Sequence, residues 1–169
     1  MILFKNQPLI KGELLFSVIF FSACNRTVFY NKSFEVKNFK WAEIDTAQFI
    51  VENPDTAKKF NLHIGFRIGN SYPFSNLYVY FVSRFPDGKV SQDTLQFLFA
   101  DSKGRPTGKC GGKICEYDFI LKQGLKFPVP GIYSFEIVHA MRTPYGILED
   151  LRTIYLSLIE QNQDSKVKN

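Results

Sequence analysis

The sequence predicts an all-β protein: an antiparallel β-sandwich of about eight strands, immunoglobulin-like or jelly-roll, behind a short apolar leader. Three observations carry that prediction. Apolar residues recur with period two in several segments. Eighteen Phe and eight Tyr load the chain with residues that favour strands. Gly, Pro and Asp turn signals fall at short spacing, and no long segment keeps a helical period.

The first element is the leader. Residues 14–23 form an apolar run about half as long as the roughly 20 residues a membrane-spanning helix needs. Lys5 and Lys11 give it a positive flank, and Ser22 and Ala23 place small residues directly before Cys24. This tail resembles a bacterial lipobox, whose cysteine becomes the first mature residue and carries a diacylglycerol and a fatty acyl group. Residues 1–23 therefore read as a cleaved lipoprotein signal peptide and Cys24 as the lipidation site. Residues 24–33 read as a polar, lipidated tether. Each buried methylene contributes about 0.8 kcal/mol, so several acyl chains make a lasting anchor. No second run reaches spanning length, so the membrane is met through the lipid.

The domain, residues 34–160, is then a series of strands. Phe34, Val36 and Trp41 mark the first strand region. Residues 46–51 follow, closed by Asn53, Pro54 and Asp55. Residues 60–68 give the cleanest pattern. Phe60, Leu62, Ile64, Phe66 and Ile68 share one face, with Asn61, His63, Gly65 and Arg67 on the other. Residues 76–85 set Leu77, Val79 and Phe81 against Tyr78, Tyr80 and Val82, as in a strand covered on both faces. Pro86, Asp87 and Gly88 turn the chain into a strand at 93–99, and residues 101–106 turn it again. Residues 114–121, 132–138 and 153–159 complete the set. Pro144 and Gly146 limit the stretch 139–150 to a helical turn. Residues 161–169 form a polar tail that is expected to be disordered.

The net charge is +5, and it falls by one when the leader takes two lysines and one glutamate with it. The basic residues are scattered rather than striped, which excludes a nucleic-acid footprint. Beyond Cys24 the cysteines are Cys110 and Cys115. They read first as a local disulfide, with Gly111 and Gly112 giving the turn its freedom, and second as two free buried thiols. Zinc ranks last, because its sites use Cys pairs two to four apart with two further ligands. His63 and His139 are distant from that pair, and His63 reads as a solvated or satisfied side chain. Asp87, Asp93 and Asp101 sit near turns, where Asp is common for backbone reasons. There is no Gly-x-Ser-x-Gly and no metal cluster, so the reading contains no catalytic residue, no metal, no cofactor beyond the lipid and no small-molecule ligand.

Six stretches follow the lipobox cysteine in a telling order: SYPFSNL at 71–77, FPDGK at 85–89, DTL at 93–95, GRPTGK at 104–109, FPVPGIYSF at 127–135 and HAMR at 139–142. Together they resemble the GldH family of gliding-motility lipoproteins from Bacteroidetes, over nearly the whole mature chain. Cys110 and Cys115 stand as an addition to that family's pattern. The resemblance implies a non-enzymatic accessory of the gliding and type IX secretion machinery, with partners among the envelope proteins of that apparatus. No acid appears between Cys24 and Glu35, and the resemblance then implies an outer-membrane anchor facing the periplasm. Partner contact is expected on two loops, through Tyr72 and Asn76 on one and Arg142 and Tyr145 on the other. The alternative reading is a lipid-anchored carbohydrate-binding sandwich, with Tyr78, Tyr80 or Trp41 stacking on sugars. An exposed planar row of these rings would favour it.

Overall fold

The computed structural model describes residues 27–161. The leader, Cys24 and residues 162–169 lie outside the described part. Eleven strands follow one another among the described residues: β1 (Val28–Glu35), β2 (Lys40–Ala42), β3 (Ala47–Glu52), β4 (Phe60–Gly69), β5 (Asn76–Arg84) and β6 (Val90–Leu98), then β7 (Lys109–Gly111), β8 (Ile114–Leu125), β9 (Ile132–His139), β10 (Ile147–Glu149) and β11 (Leu151–Glu160). Short 3-10 turns occupy Lys37–Phe39 and Pro144–Gly146. The strands pair antiparallel in a five-stranded sheet ordered β1-β11-β4-β8-β7, a four-stranded sheet ordered β3-β9-β5-β6, and a ribbon of β10 with β2. The two sheets stay open, as an all-β sandwich requires.

Period two explains the core. Phe60, Leu62, Ile64, Phe66 and Ile68 of β4 are all buried, beside Ile154, Leu156 and Leu158 of β11. The second sheet answers with Phe49 and Val51 of β3, Leu77 and Val79 of β5, and Phe135 and Ile137 of β9. An aromatic seam joins the layers. Phe66 meets Phe97 at 4.9 Å, Phe97 meets Phe119 at 5.0 Å and Phe99 meets Tyr117 at 4.6 Å. Each buried ring contributes about 1.5–3 kcal/mol by burial. Tilted pairs add roughly 0.5–1.5 kcal/mol more. This seam is where much of the phenylalanine goes.

Three expectations are corrected. The polar tether read at 24–33 is strand from Val28 onward, because Tyr30 and Phe34 pack against the core while β1 pairs with β11 along its length. The first strand region splits into β1 and β2 around the turn at Lys37–Phe39, where Asn38 and Phe39 take positive φ. β5 is buried on one face only, since Tyr78 and Tyr80 lie exposed on the outside of the second sheet.

Candidate functional site

One end of the sandwich gathers the loops that the sequence singled out, and Asp150 ties the loop after β4 to the first 3-10 turn. It sits at φ 57° between β10 and β11. Its carbonyl accepts the Gly69 N–H at 2.8 Å and its own N–H donates to the Phe39 carbonyl at 2.7 Å. Its carboxylate accepts the Ser71 N–H at 2.9 Å and lies 3.2 Å from Arg152 Nε. A Cβ at position 69 would overlap that carboxylate and displace it from the Ser71 N–H. Arg152 also covers the Phe39 ring at 4.6 Å. The loop after β4, the first 3-10 turn and β11 thus share one joint.

The β2–β10 ribbon closes this end of the sandwich. Its Trp41 and Leu148 are fully buried. Trp41 donates its Nε1–H to the Asp45 carbonyl at 2.8 Å, and its ring meets His139 edge-on at 5.2 Å. His139 ends β9 and is 1% exposed, with neither ring nitrogen hydrogen-bonded among the described residues. Burial pushes its pKa down. The nearby carbonyls of Gly146 and Trp41 and the charge of Glu43 oppose that push without overcoming it.

Beyond the last ribbon pair, Glu43 donates its N–H to the Gly146 carbonyl at 2.8 Å. Ile44 and Tyr145 flank this link, 90% and 98% exposed. Tyr145 stands at φ 62°, a left-handed conformation that costs a residue bearing a Cβ roughly 1–2 kcal/mol. Two large apolar side chains in water on a hydrogen-bonded ribbon are suited to contact with another protein. The arrangement is an exposed apolar tip on a ribbon whose other face is buried. Among the described residues no three His, Cys, Asp or Glu side chains are placed to hold a metal ion.

The structure brings the four expected contact residues to this end but does not leave them equally accessible. Arg142 is exposed beside Tyr145. Asn76 is half-buried, and its carbonyl accepts the Tyr72 hydroxyl at 2.9 Å. Tyr72 is corrected to a support: its ring is buried edge-on to Phe99 at 5.5 Å, and burial drives its hydroxyl pKa far up. Loop 140–143 is held to β5 by Met141, whose Sδ accepts the Tyr78 N–H at 3.2 Å. Sequence reasoning missed Ile44, although an isolated β-branched residue between Glu43 and Asp45 was its signal. Of the three rings named for sugar stacking, Trp41 lies in the core, while Tyr78 and Tyr80 stand exposed on the outside of the second sheet. Cys110 and Cys115 face each other directly across the β7–β8 hairpin and are joined by a disulfide. Cys24 lies outside the described residues.

The family model described as GldH lipoprotein matches residues 28–158, from the first residue of β1 almost to the end of β11. The chain belongs to the GldH lipoprotein family. Within that match lie both sheets, the ribbon and its tip, so the family pattern includes β1 as part of the domain. The chain is 31% identical over 128 residues to the gliding motility lipoprotein GldH homolog of Christiangramia forsetii, covering 76% of this chain and 78% of that one. It is 30% identical over 131 residues to the gliding motility lipoprotein GldH of Flavobacterium johnsoniae, covering 78% of this chain and 80% of that one.

Proposed function

We propose that this protein is a lipid-anchored component of the gliding-motility apparatus that works through protein–protein contacts and not as a catalyst. The observation that carries the contact role is the tip, where Ile44 and Tyr145 stand almost wholly in water on a ribbon whose other face is buried core. The relatives' names support the motility assignment. Cys24 behind its small residues supplies the anchor. Among the described residues no helix is long and apolar enough to cross a membrane. Asn25, Arg26 and Thr27 after the lipid favour the periplasmic side of the outer membrane, where the type IX secretion machinery can engage the domain.

The test uses Ile44→Ser combined with Tyr145→Asn, since Asn tolerates the left-handed backbone. Crosslinked membranes from a gliding host are probed for proteins recovered with the lipoprotein. The double variant is expected to lose its partners by roughly tenfold or more, as for a removed contact hot spot, with an unchanged melting temperature. Undiminished recovery and normal colony spreading would overturn the tip as the contact surface.

A further inference from the structure

The outer face of the five-stranded sheet is a recessed polar groove of about 830 Å³. Strand register builds its floor in rows across β8, β4, β11 and β1. One row is Glu116, Arg67, Thr153 and Glu35, and the next is Asp118, Gly65, Tyr155 and Ser33. A third row brings His63, Ser157 and Asn31 together. An outer sheet face ordinarily leaves its polar side chains in water. Here His63, Thr153 and Ser157, three of the four buried polar side chains among the described residues, lie in the groove on the sheet's outer face. The segment 107–109 on one side and β1 on the other line its margins.

The floor is built around one aromatic ring. Gly65 has no Cβ, and one placed there would run into the Tyr155 ring. The ring therefore lies down over β4, and its hydroxyl donates to the Tyr117 carbonyl at 2.8 Å, which fixes it flat. The charged groups of the floor already hold hydrogen-bond partners within the protein, one ion pair among them. Arg67 Nη2 is 3.0 Å from Glu116, His63 Nδ1 is 3.0 Å from Asp118, and the Thr153 hydroxyl donates to Glu35 at 2.9 Å. A charged ligand would have to displace these partners. A ligand rich in hydroxyl groups would instead add to them, because each hydroxyl both donates and accepts. A flat apolar ring amid such pairs suits a sugar, which has an apolar face as well as a polar rim. An extended peptide would need a free strand edge for its backbone, and this is a face.

We propose that this groove binds a segment of neutral polysaccharide. The floor is roughly 15 Å across its four strands, enough for a short oligosaccharide. Tyr155 is the platform, and Arg67, Glu116, Asp118 and Asn31 supply hydrogen bonds. The site is separate from the tip and from the exposed Tyr78 and Tyr80 of the other sheet.

The experiment is calorimetric titration of the full, detergent-purified chain with linear hexaoses of glucose, mannose, xylose and N-acetylglucosamine. At least one is expected to bind with millimolar or tighter affinity. Tyr155→Ala should weaken it about tenfold. Tyr155→Ala could loosen the sheet, so Ser33→Trp and Asn31→Trp serve as blocking variants on the exposed strand β1. Either should abolish binding with an unchanged melting temperature. Tyr78→Ala with Tyr80→Ala should leave the affinity as it was. The proposal is overturned if no hexaose binds at about 10 mM, if both blocking variants bind normally, or if only the Tyr78/Tyr80 variant loses binding. It also falls if an extended hexapeptide binds with sensitivity to Ser33→Trp while no sugar does.

Discussion

His139 is held at the buried end of β9 with both ring nitrogens unsatisfied among the described residues, which makes acid a threat to the ribbon above it. Its folded pKa lies below the ordinary histidine value because burial disfavours the cation. The unfolded chain therefore takes up a proton first as pH falls. The stability that His139 contributes is complete above about pH 6.5 and is lost as pH drops from there toward the folded value, at no more than about 1.4 kcal/mol per pH unit. His139→Leu should flatten the dependence of the urea midpoint on pH between 7.5 and 5, and a slope equal to the wild type's would refute this account. Single residues were unevenly legible in sequence. Pro144 and Gly146 around Tyr145 announced an exposed turn. Nothing in a tyrosine before Pro73 says which way its ring turns, and Phe99, 27 residues on and paired at 5.5 Å, decides that Tyr72 goes inward. His63 was read on the polar face as a solvated or satisfied side chain, and because that face is recessed it is the satisfied form that occurs, buried and hydrogen-bonded to Asp118.

Pairs of elements carry two further predictions. Gly65→Ala in β4 would drive a methyl group into the Tyr155 ring of β11. The ring must then lift from the sheet, at a cost of about 1–3 kcal/mol, as for other overpacked sites. Urea unfolding should show that loss, and the released phenol should titrate below the value of about 12 to which burial and the nearby Asp118 and Glu116 now push it. The second concerns the clasp across β7 and β8. In the chain-entropy account a loop this short is worth about 2 kcal/mol. Replacing Cys110 and Cys115 by Ser should lower stability by no more than that, since β7 has only three residues. A change in melting behaviour across the whole domain would mean the hairpin supports more than its own edge. Long strands such as β4, β9 and β11 were readable because eight or more residues of alternation leave little ambiguity. β2, β7 and β10 have three residues each, too few for a period to appear. β1 hid for another reason: its outward residues Asn31 and Ser33 face the groove and read as tether.

At the scale of the whole molecule, the two ends of the sandwich are unlike. β1 and β4 run from the end at Val28 and Phe60 to the end at Glu35 and Gly69, where the ribbon and Asp150 lie. Only residues 25–27 separate Cys24 from β1, a span of at most about 14 Å from Cys24 to Val28. A flexible insertion of ten Gly/Ser residues after Thr27 should leave the melting temperature unchanged. It should reduce partner recovery from crosslinked membranes if close tethering matters, and undiminished recovery would show that it does not.

β1 in its sheet also sets a height. Eight strand residues extend about 25 Å. If Cys24 carries the proposed lipid, so short a link would moor the start of β1 near the bilayer, and the domain would stand like a post with that start as its foot and Ile44 and Tyr145 at its head. Its freedom would then be to swivel about that foot. A partner would then meet the head at a nearly constant altitude above the lipid, and the lateral sheet face would sweep the layer in between.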